Sequence, residues 1–171
     1  CEGGVDVIAR QNKYGYQLRS QSKSSKLSFM IFSSGSSIKY YSQFKFISIF
    51  KISKPTFNSY IFAKKVHKFM KINNLNVKLL VAGDPWESYW SAYFLNKFLN
   101  NKIPIQIQAH GDIANPSWRR INFRNRIRYV FAKLSLPKAA SVRAVTKYQA
   151  ENLANAFGIK KGEIEVIPVP I

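Results

Sequence analysis

The chain has 171 residues, a length typical of one domain, and 46% of them are hydrophobic, which is enough to build a packed core. It carries 27 Lys and Arg against 8 Asp and Glu, a formal net charge of +19, so nucleic acid, an anionic membrane or a phosphorylated substrate are all plausible partners. The composition excludes disorder of the whole chain, and a single cysteine excludes an internal disulfide.

The first predicted element is an amphipathic helix over Val5–Leu18, directly after Gly3 and Gly4. A glycine turn before a helix N-terminus brings backbone N–H groups close to a phosphate, although two glycines alone are weak evidence for such a site. The stretch from Ser20 to Ser42 is rich in Ser and Lys and is predicted to be irregular.

Short runs of β-branched and aromatic residues then alternate with amphipathic stretches of helix length. This alternation is typical of parallel sheets with crossover helices. The predicted strands are Leu27–Phe32, Phe44–Ile52, Val77–Ala82, Ile103–Gln108, Ser141–Val145 and Glu165–Val169. The predicted fold class is therefore α/β, with a Rossmann-like open parallel sheet and helices on both faces.

Two helices between the strands have well-marked ends. Asp84 is predicted to cap a helix that runs to about Leu99, with Pro85 at its first position. Its aromatic stripe is predicted to face the core and consists of Trp86, Tyr89, Trp90, Tyr93, Phe94 and Phe98. Thr146 is predicted to cap the helix Lys147–Phe157, which Gly158 ends in the left-handed conformation.

A further helix is predicted over Asn122–Ser135, and another over Tyr60–Met70, in which His67 is expected to face solvent among three lysines. The core-facing residues of the Asn122–Ser135 helix are expected to be Ile127, Val130, Phe131 and Leu134. Its opposite face carries Arg120, Arg124 and Arg128 without an acidic neighbour in sequence. This arginine face is either a patch for an anionic surface or simply a solvated face.

Ligands of open parallel sheets bind outside the carboxyl ends of the strands, so the residues at these positions are the candidate site. The cleft positions predicted here are Asp84, Trp86, Asp112 and Arg143, and Thr146 follows the predicted strand Ser141–Val145. His110 follows a predicted strand and is the candidate catalytic residue; the alternative is a loop histidine bonded to nearby backbone. Capping explains Asp84 without a ligand, and an ordinary turn would explain Asp112.

Several familiar sites are not encoded. The sequence has no GxxxxGK[ST], GxGxxG or GxSxG motif, which argues against a P-loop nucleotidase, a dinucleotide-dependent oxidoreductase and a serine hydrolase. It also has no Cys/His spacing for a structural zinc site, so no metal is expected.

The order of these segments resembles the N-terminal domain of GT-B fold glycosyltransferases, of the retaining kind known as family four. Ile105–Asp112 resembles the family's strand and histidine loop, and Ala139–Thr146 with the helix after it resembles a later strand and helix. Glu165–Ile171 resembles the strand that leads to the second domain. Gly3, Gly4 and Val5–Leu18 resemble the glycine turn and first helix more loosely, without the strand that should precede them.

The resemblance implies that residues 1–171 form one acceptor-side domain of a longer enzyme, without its first strand and its donor-binding domain. In such an enzyme His110 would face the transferred sugar, Gly3 and Gly4 would approach its phosphate side, and Thr146 would lie near the interdomain rim. The implied partners are a nucleotide-sugar and a glycan or lipid-linked acceptor, with no cofactor. A cytoplasmic location on the inner face of an anionic membrane is expected, and the chain alone is expected to be inactive because half a cleft lacks half of its catalytic groups.

Two other classes stay open at this point. A basic nucleic-acid-binding module is consistent with the charge, although no RNA- or DNA-binding motif is present and nucleic acid is not the expected partner. A non-catalytic α/β domain that binds a small phosphorylated ligand is the other alternative.

Overall fold

A computed structural model describes residues 29–35, 40–44, 47–53, 58–100 and 102–168. The chain divides into two compact units, Cys1–Thr56 and Phe57–Ile171. Gly3, Gly4 and the predicted helix Val5–Leu18 lie outside the described residues.

The first unit contains a three-stranded sheet in the order β1-β3-β2, formed by β1 (Phe29–Gly35), β2 (Tyr40–Phe44) and β3 (Ile47–Ser53). β1 is parallel to β3, whereas β2 is antiparallel to it. The prediction of an irregular stretch from Ser20 to Ser42 is therefore wrong for the part occupied by β1 and the start of β2. Pairing with β3 satisfies the backbone of these residues, so their Ser-rich composition does not prevent strand formation.

The second unit alternates helices and strands along the chain. Its helices are α1 (Ser59–Ile72), α2 (Glu87–Phe98), α3 (Pro116–Arg120), α4 (Phe123–Ser135) and α5 (Lys147–Phe157). Its strands are β4 (Leu80–Ala82), β5 (Ile105–Gln108), β6 (Ser141–Ala144) and β7 (Ile164–Val166), and short 3₁₀ turns span Leu136–Lys138 and Lys161–Glu163. All neighbouring strands pair in parallel, in the order β4-β5-β6-β7. The predicted α/β class with a Rossmann-like open parallel sheet is confirmed.

The core of this unit lies on one face of the sheet. Residues paired in register point to the same face, which here carries Ala82, Ile107 and Val142, all at most 1% exposed. Helices α2, α4 and α5 cover that face with Tyr89, Ala132, Leu153 and Phe157. The alternate strand positions are more polar and less buried: Val81, Gln106, Ser141, Arg143 and Glu165.

The predicted aromatic stripe belongs to this core only in part, because Phe94 and Phe98 pack against α1 instead. Tyr89 is buried, and Trp90 and Tyr93 are half-buried and meet edge to face with their centroids 5.4 Å apart. Burial raises the pKa of the Tyr89 phenol, and the neighbouring Tyr93 raises it further. On α1, His67 is half-buried with its ring 5.5 Å from Phe98, so it packs against an aromatic ring instead of facing solvent as predicted.

The prediction of which side of α4 faces the core is wrong. The residues expected in the core, Ile127, Val130, Phe131 and Leu134, are between 40% and 57% exposed. The helix instead buries Asn125, Ala132 and Ser135. The Asn125 amide donates to the Trp118 carbonyl oxygen at 2.9 Å, and the Ser135 hydroxyl donates to the Pro85 carbonyl oxygen at 2.6 Å. These short side chains satisfy backbone groups of neighbouring segments, so the helix packs with its polar side inward.

Both ends of α5 follow the sequence prediction. The Thr146 side chain accepts a hydrogen bond from the Gln149 backbone N–H at 3.1 Å, and Gly158 adopts the left-handed conformation with φ 67°. The Gly158 N–H then donates to the Ala154 carbonyl oxygen at 2.9 Å, which satisfies one of the last free carbonyls of the helix.

Replacing Gly158 by Ala is expected to lower the free energy of unfolding by about 1 kcal/mol, because a Cβ is disfavoured in the left-handed conformation. The matched control is Gly162→Ala, since Gly162 is also exposed and has open space around its Cβ position but no positive φ. Urea unfolding followed by circular dichroism measures both variants. An equal loss in the two would show that the φ of Gly158 does not matter.

Candidate functional site

The carboxyl ends of β4 to β7 meet at one edge of the parallel sheet, and the loops there form the candidate site. Backbone hydrogen bonds continue past the strands and hold these loops together. The Ala109 N–H donates to the Arg143 carbonyl oxygen, and the Ile167 N–H donates to that of Ala144, each at 2.9 Å. The predicted positions after β4, β5 and β6 therefore lie along the same edge.

A buried glutamine fixes the loop after β5 to the start of α5. The side-chain amide of Gln149 donates to the carbonyl oxygens of Ala109, at 3.1 Å, and Gly111. Its Oε1 atom accepts a hydrogen bond from the Val145 N–H at 2.7 Å. Gln149 is only 4% exposed, so these bonds form away from solvent. The capping box formed by Thr146 and Gln149 can be recognised in the sequence, but it does not reveal the bonds from Gln149 to the loop after β5.

His110 lies between the two carbonyl groups that Gln149 holds, and its side chain is exposed. It makes no hydrogen bond, ion pair or ring contact with any other described residue. The next residue, Gly111, has φ 79°, a left-handed conformation that turns the chain sharply after β5. The loop therefore presents an unpaired imidazole, able to donate and accept hydrogen bonds, at the carboxyl edge of the sheet.

Beside this loop is a polar groove of about 410 Å³, called here the Asp112 groove. Its lining residues come from the loop after β5, the start of α3 and α5, and they are Asp112, Ala114, Asn115, Pro116, Tyr148, Asn152, Asn155 and Ala156. One carboxylate oxygen of Asp112 accepts from the Asn115 amide at 3.3 Å, whereas the other is buried without a partner. The groove thus combines a carboxylate, three amides and the exposed ring of Tyr148.

Asp84 is occupied by local structure. Its carboxylate accepts hydrogen bonds from the Trp86 N–H at 2.9 Å and the Ser88 N–H at 3.0 Å, and also from the Ser88 hydroxyl. Helix α2 begins at Glu87, later than predicted, so Asp84 caps it from outside the first turn and Pro85 precedes the helix. These contacts account for Asp84 without a ligand.

Trp86 and Arg143 also have partners within the protein. The Trp86 ring stacks on that of Trp118, with centroids 5.9 Å apart, and the Arg128 guanidinium lies 4.8 Å from its centroid. The Arg143 guanidinium donates to the Ile167 carbonyl oxygen at 3.1 Å and fastens the segment after β7 to the sheet.

The three arginines of the predicted anionic patch differ in exposure and in their partners. Arg128 has a side chain that is only 24% exposed, and it approaches Glu87 of α2 at 3.5 Å. Arg124 is 3.8 Å from the same carboxylate but largely exposed, and Arg120 is exposed at the end of α3. The absence of an acidic neighbour in sequence does not hold in space for Arg124 and Arg128, because Glu87 is distant in sequence and close in the structure.

Within the described part of the chain, no group of three or more His, Cys, Asp or Glu side chains is arranged to hold a metal ion. None of the helices in the same ranges is both long and apolar enough to cross a lipid bilayer.

No protein-family model and no curated protein sequence matches this chain. Among solved structures, the chain is similar to the UDP-N-acetylglucosamine 2-epimerase from Rickettsia bellii, with a TM-score of 0.42 and 18% sequence identity. The similarity covers 68% of this chain and 29% of the epimerase chain, so the matched part spans less than a third of that enzyme.

Proposed function

We propose that this chain supplies the acceptor-side half of a sugar-transfer cleft in a GT-B glycosyltransferase. One observation carries the proposal: the loop after β5, at the carboxyl edge of a parallel sheet, holds an exposed imidazole, His110, and two residues later Asp112, which lines the Asp112 groove. The segment order, which resembles family-four enzymes, adds independent support.

The Asp112 groove has the chemistry that a saccharide requires. Sugar hydroxyls both donate and accept hydrogen bonds, and the side chains of Asn152 and Asn155 offer both kinds of partner. The Asp112 carboxylate is an acceptor among the lining groups, and the Tyr148 ring supplies an apolar face for the C–H side of a sugar ring. These groups would position an acceptor hydroxyl.

In the proposed cleft, His110 donates a hydrogen bond to the transferred sugar, and the nucleotide part of the donor is bound by a second domain. Thr146 would lie near the rim of this cleft. Transfer then forms a bond from the acceptor oxygen to the anomeric carbon as the bond to the nucleoside diphosphate breaks. The acceptor proton is released, and the sugar keeps its anomeric configuration in a retaining enzyme.

The acceptor role is tested by titrating the ¹⁵N-labelled chain with neutral oligosaccharides and following backbone and Asn side-chain amide signals. Shifts are expected at Asn152, Asn155 and the His110 loop. The variant Asn155→Ala is expected to weaken binding about three- to tenfold, the effect of one lost hydrogen bond. Asn76→Ala, at an exposed Asn outside the groove, is the matched control. Saccharides that shift no groove signal at millimolar concentration would refute the acceptor role.

A further inference from the structure

We infer that helix α4 is a membrane-contacting element that inserts an apolar stripe into the headgroup region of an anionic bilayer. The inference is independent of the proposed function. It starts from the finding that five large apolar side chains of α4 are at least 40% exposed: Phe123, Ile127, Val130, Phe131 and Leu134.

The α4 stripe is defined here as Ile121, Phe123, Ile127, Val130 and Leu134, which are between 42% and 73% exposed. At about 100° per residue, the four positions within α4 fall on one side of the helix. The buried residues Asn125 and Ala132 lie on the opposite side. A well-packed domain rarely leaves a continuous apolar stripe on a regular helix without a partner.

Cations border the α4 stripe along both sides. Arg126 and Lys133 flank it on one side, Arg124 flanks it on the other, and Arg120 lies just before it in α3. All four residues are exposed. Glu87 is the acid that approaches α4 among the described residues, and it contacts Arg124 and Arg128. An apolar stripe bordered by Arg and Lys is the pattern of helices that lie in the interface of an anionic membrane.

Charge argues against a second copy of this chain as the occupant. A two-fold interface through the α4 stripe would bring the Arg and Lys side chains of both copies close together. In each copy, the negative charge near them would be the carboxylate of Glu87, so the like charges would repel one another. Lipid phosphates supply the opposite charge instead.

The side-chain types argue against nucleic acid. Ile121, Ile127, Val130 and Leu134 are aliphatic, and of the α4 stripe only Phe123 is a ring on which a base could stack. Aliphatic side chains suit lipid acyl chains, and the stripe of about three helical turns is long enough to lie flat in the interface.

The test measures partition of the full chain between buffer and sedimented vesicles, either of pure phosphatidylcholine or of phosphatidylcholine mixed with phosphatidylglycerol. Strong binding is expected to the mixed vesicles. The variant Ile127→Ser/Val130→Ser is expected to lower the partition coefficient at least about tenfold, because two inserted side chains are lost. Its matched control is Ile61→Ser/Ile72→Ser, at exposed apolar positions of α1.

The electrostatic part is tested with Arg126→Gln/Lys133→Gln, for which a loss of about tenfold or more is expected on the mixed vesicles. Lys64→Gln/Lys71→Gln, at exposed positions of α1, removes the same net charge and is expected to change partition less than twofold. Equal losses in these two variants would show attraction by net charge alone and overturn the inference.

Three other outcomes would also overturn it. The first is an unchanged partition of Ile127→Ser/Val130→Ser. The second is binding to a random oligonucleotide, with a steep salt dependence, in the absence of vesicle binding. The third is a concentration-dependent dimer that this variant abolishes while vesicle binding is absent. Unchanged circular dichroism and urea midpoints will establish that all variants are folded, as expected for exposed positions.

Discussion

Replacing Gln149 by Leu is expected to lower the free energy of unfolding by about 2 to 5 kcal/mol, although the two side chains have similar volumes. The substitution removes the partners of the Val145 N–H and of the Ala109 carbonyl, whereas the Gly111 carbonyl still accepts from the Ile113 N–H. Ala109 is 1% exposed, so its carbonyl group cannot easily turn to water. Each buried group left without a partner costs about 1 to 3 kcal/mol. Urea unfolding measures the loss.

The matched control for this prediction is Gln106→Leu. Gln106 is half-buried on β5, and its amide makes one hydrogen bond to the Ser141 hydroxyl, at 3.2 Å. A loss below about 1 kcal/mol is expected there, because water can replace that contact. Amide hydrogen exchange gives a local readout: the Val145 N–H should lose protection in Gln149→Leu and keep it in Gln106→Leu. Equal stability of the two variants would contradict the proposed anchoring role.

Replacing His110 by Ala is expected to lower sugar transfer about 10²- to 10³-fold in a protein that joins this chain to a donor-binding domain. This is the usual cost of removing one preorganised hydrogen-bond donor at a site of developing charge. The imidazole is exposed and makes no hydrogen bond, ion pair or ring contact with other described residues, so the free energy of unfolding should change by less than about 0.5 kcal/mol. Steady-state kinetics and urea unfolding measure the two effects.

His67 is the natural control, because it is the only other histidine of the chain. Its ring on α1 packs near Phe98 of α2, whereas His110 lies in the loop after β5. His67→Ala is expected to reduce stability and leave transfer per folded molecule unchanged. If His110→Ala transfers sugar at the rate of the unsubstituted protein, His110 is an ordinary loop residue.

Much of the second unit could be predicted from local sequence signals. Thr146 and Gly158 mark the ends of α5, and the structure places these ends where the sequence predicts them. The strands β4 to β7 were also anticipated, each somewhat longer than observed. Capping and the left-handed glycine act within a few residues of the chain, so their effect can be read without a tertiary structure.

The candidate site was predicted only in part. The positions of His110 and Asp112 could be predicted, because ligands of open parallel sheets bind outside the carboxyl ends of the strands. The anchoring role of Gln149 could not, because it depends on carbonyl groups 38 and 40 residues away in sequence. The same is true of Glu87, which meets Arg128 across 41 residues. Contacts at such separations depend on how the elements pack, and no local pattern encodes them.

The sequence alone determined the parallel α/β alternation of this protein, because apolar periodicity and helix ends are properties of neighbouring residues. Tertiary structure alone decided which side of α4 faces inward. Periodicity identifies an apolar stripe, but burial depends on the partners available: Asn125 and Ser135 satisfy the carbonyls of Trp118 and Pro85, so the polar side of the helix packs against the domain. The stripe of Ile127, Val130 and Leu134 is consequently left on the surface.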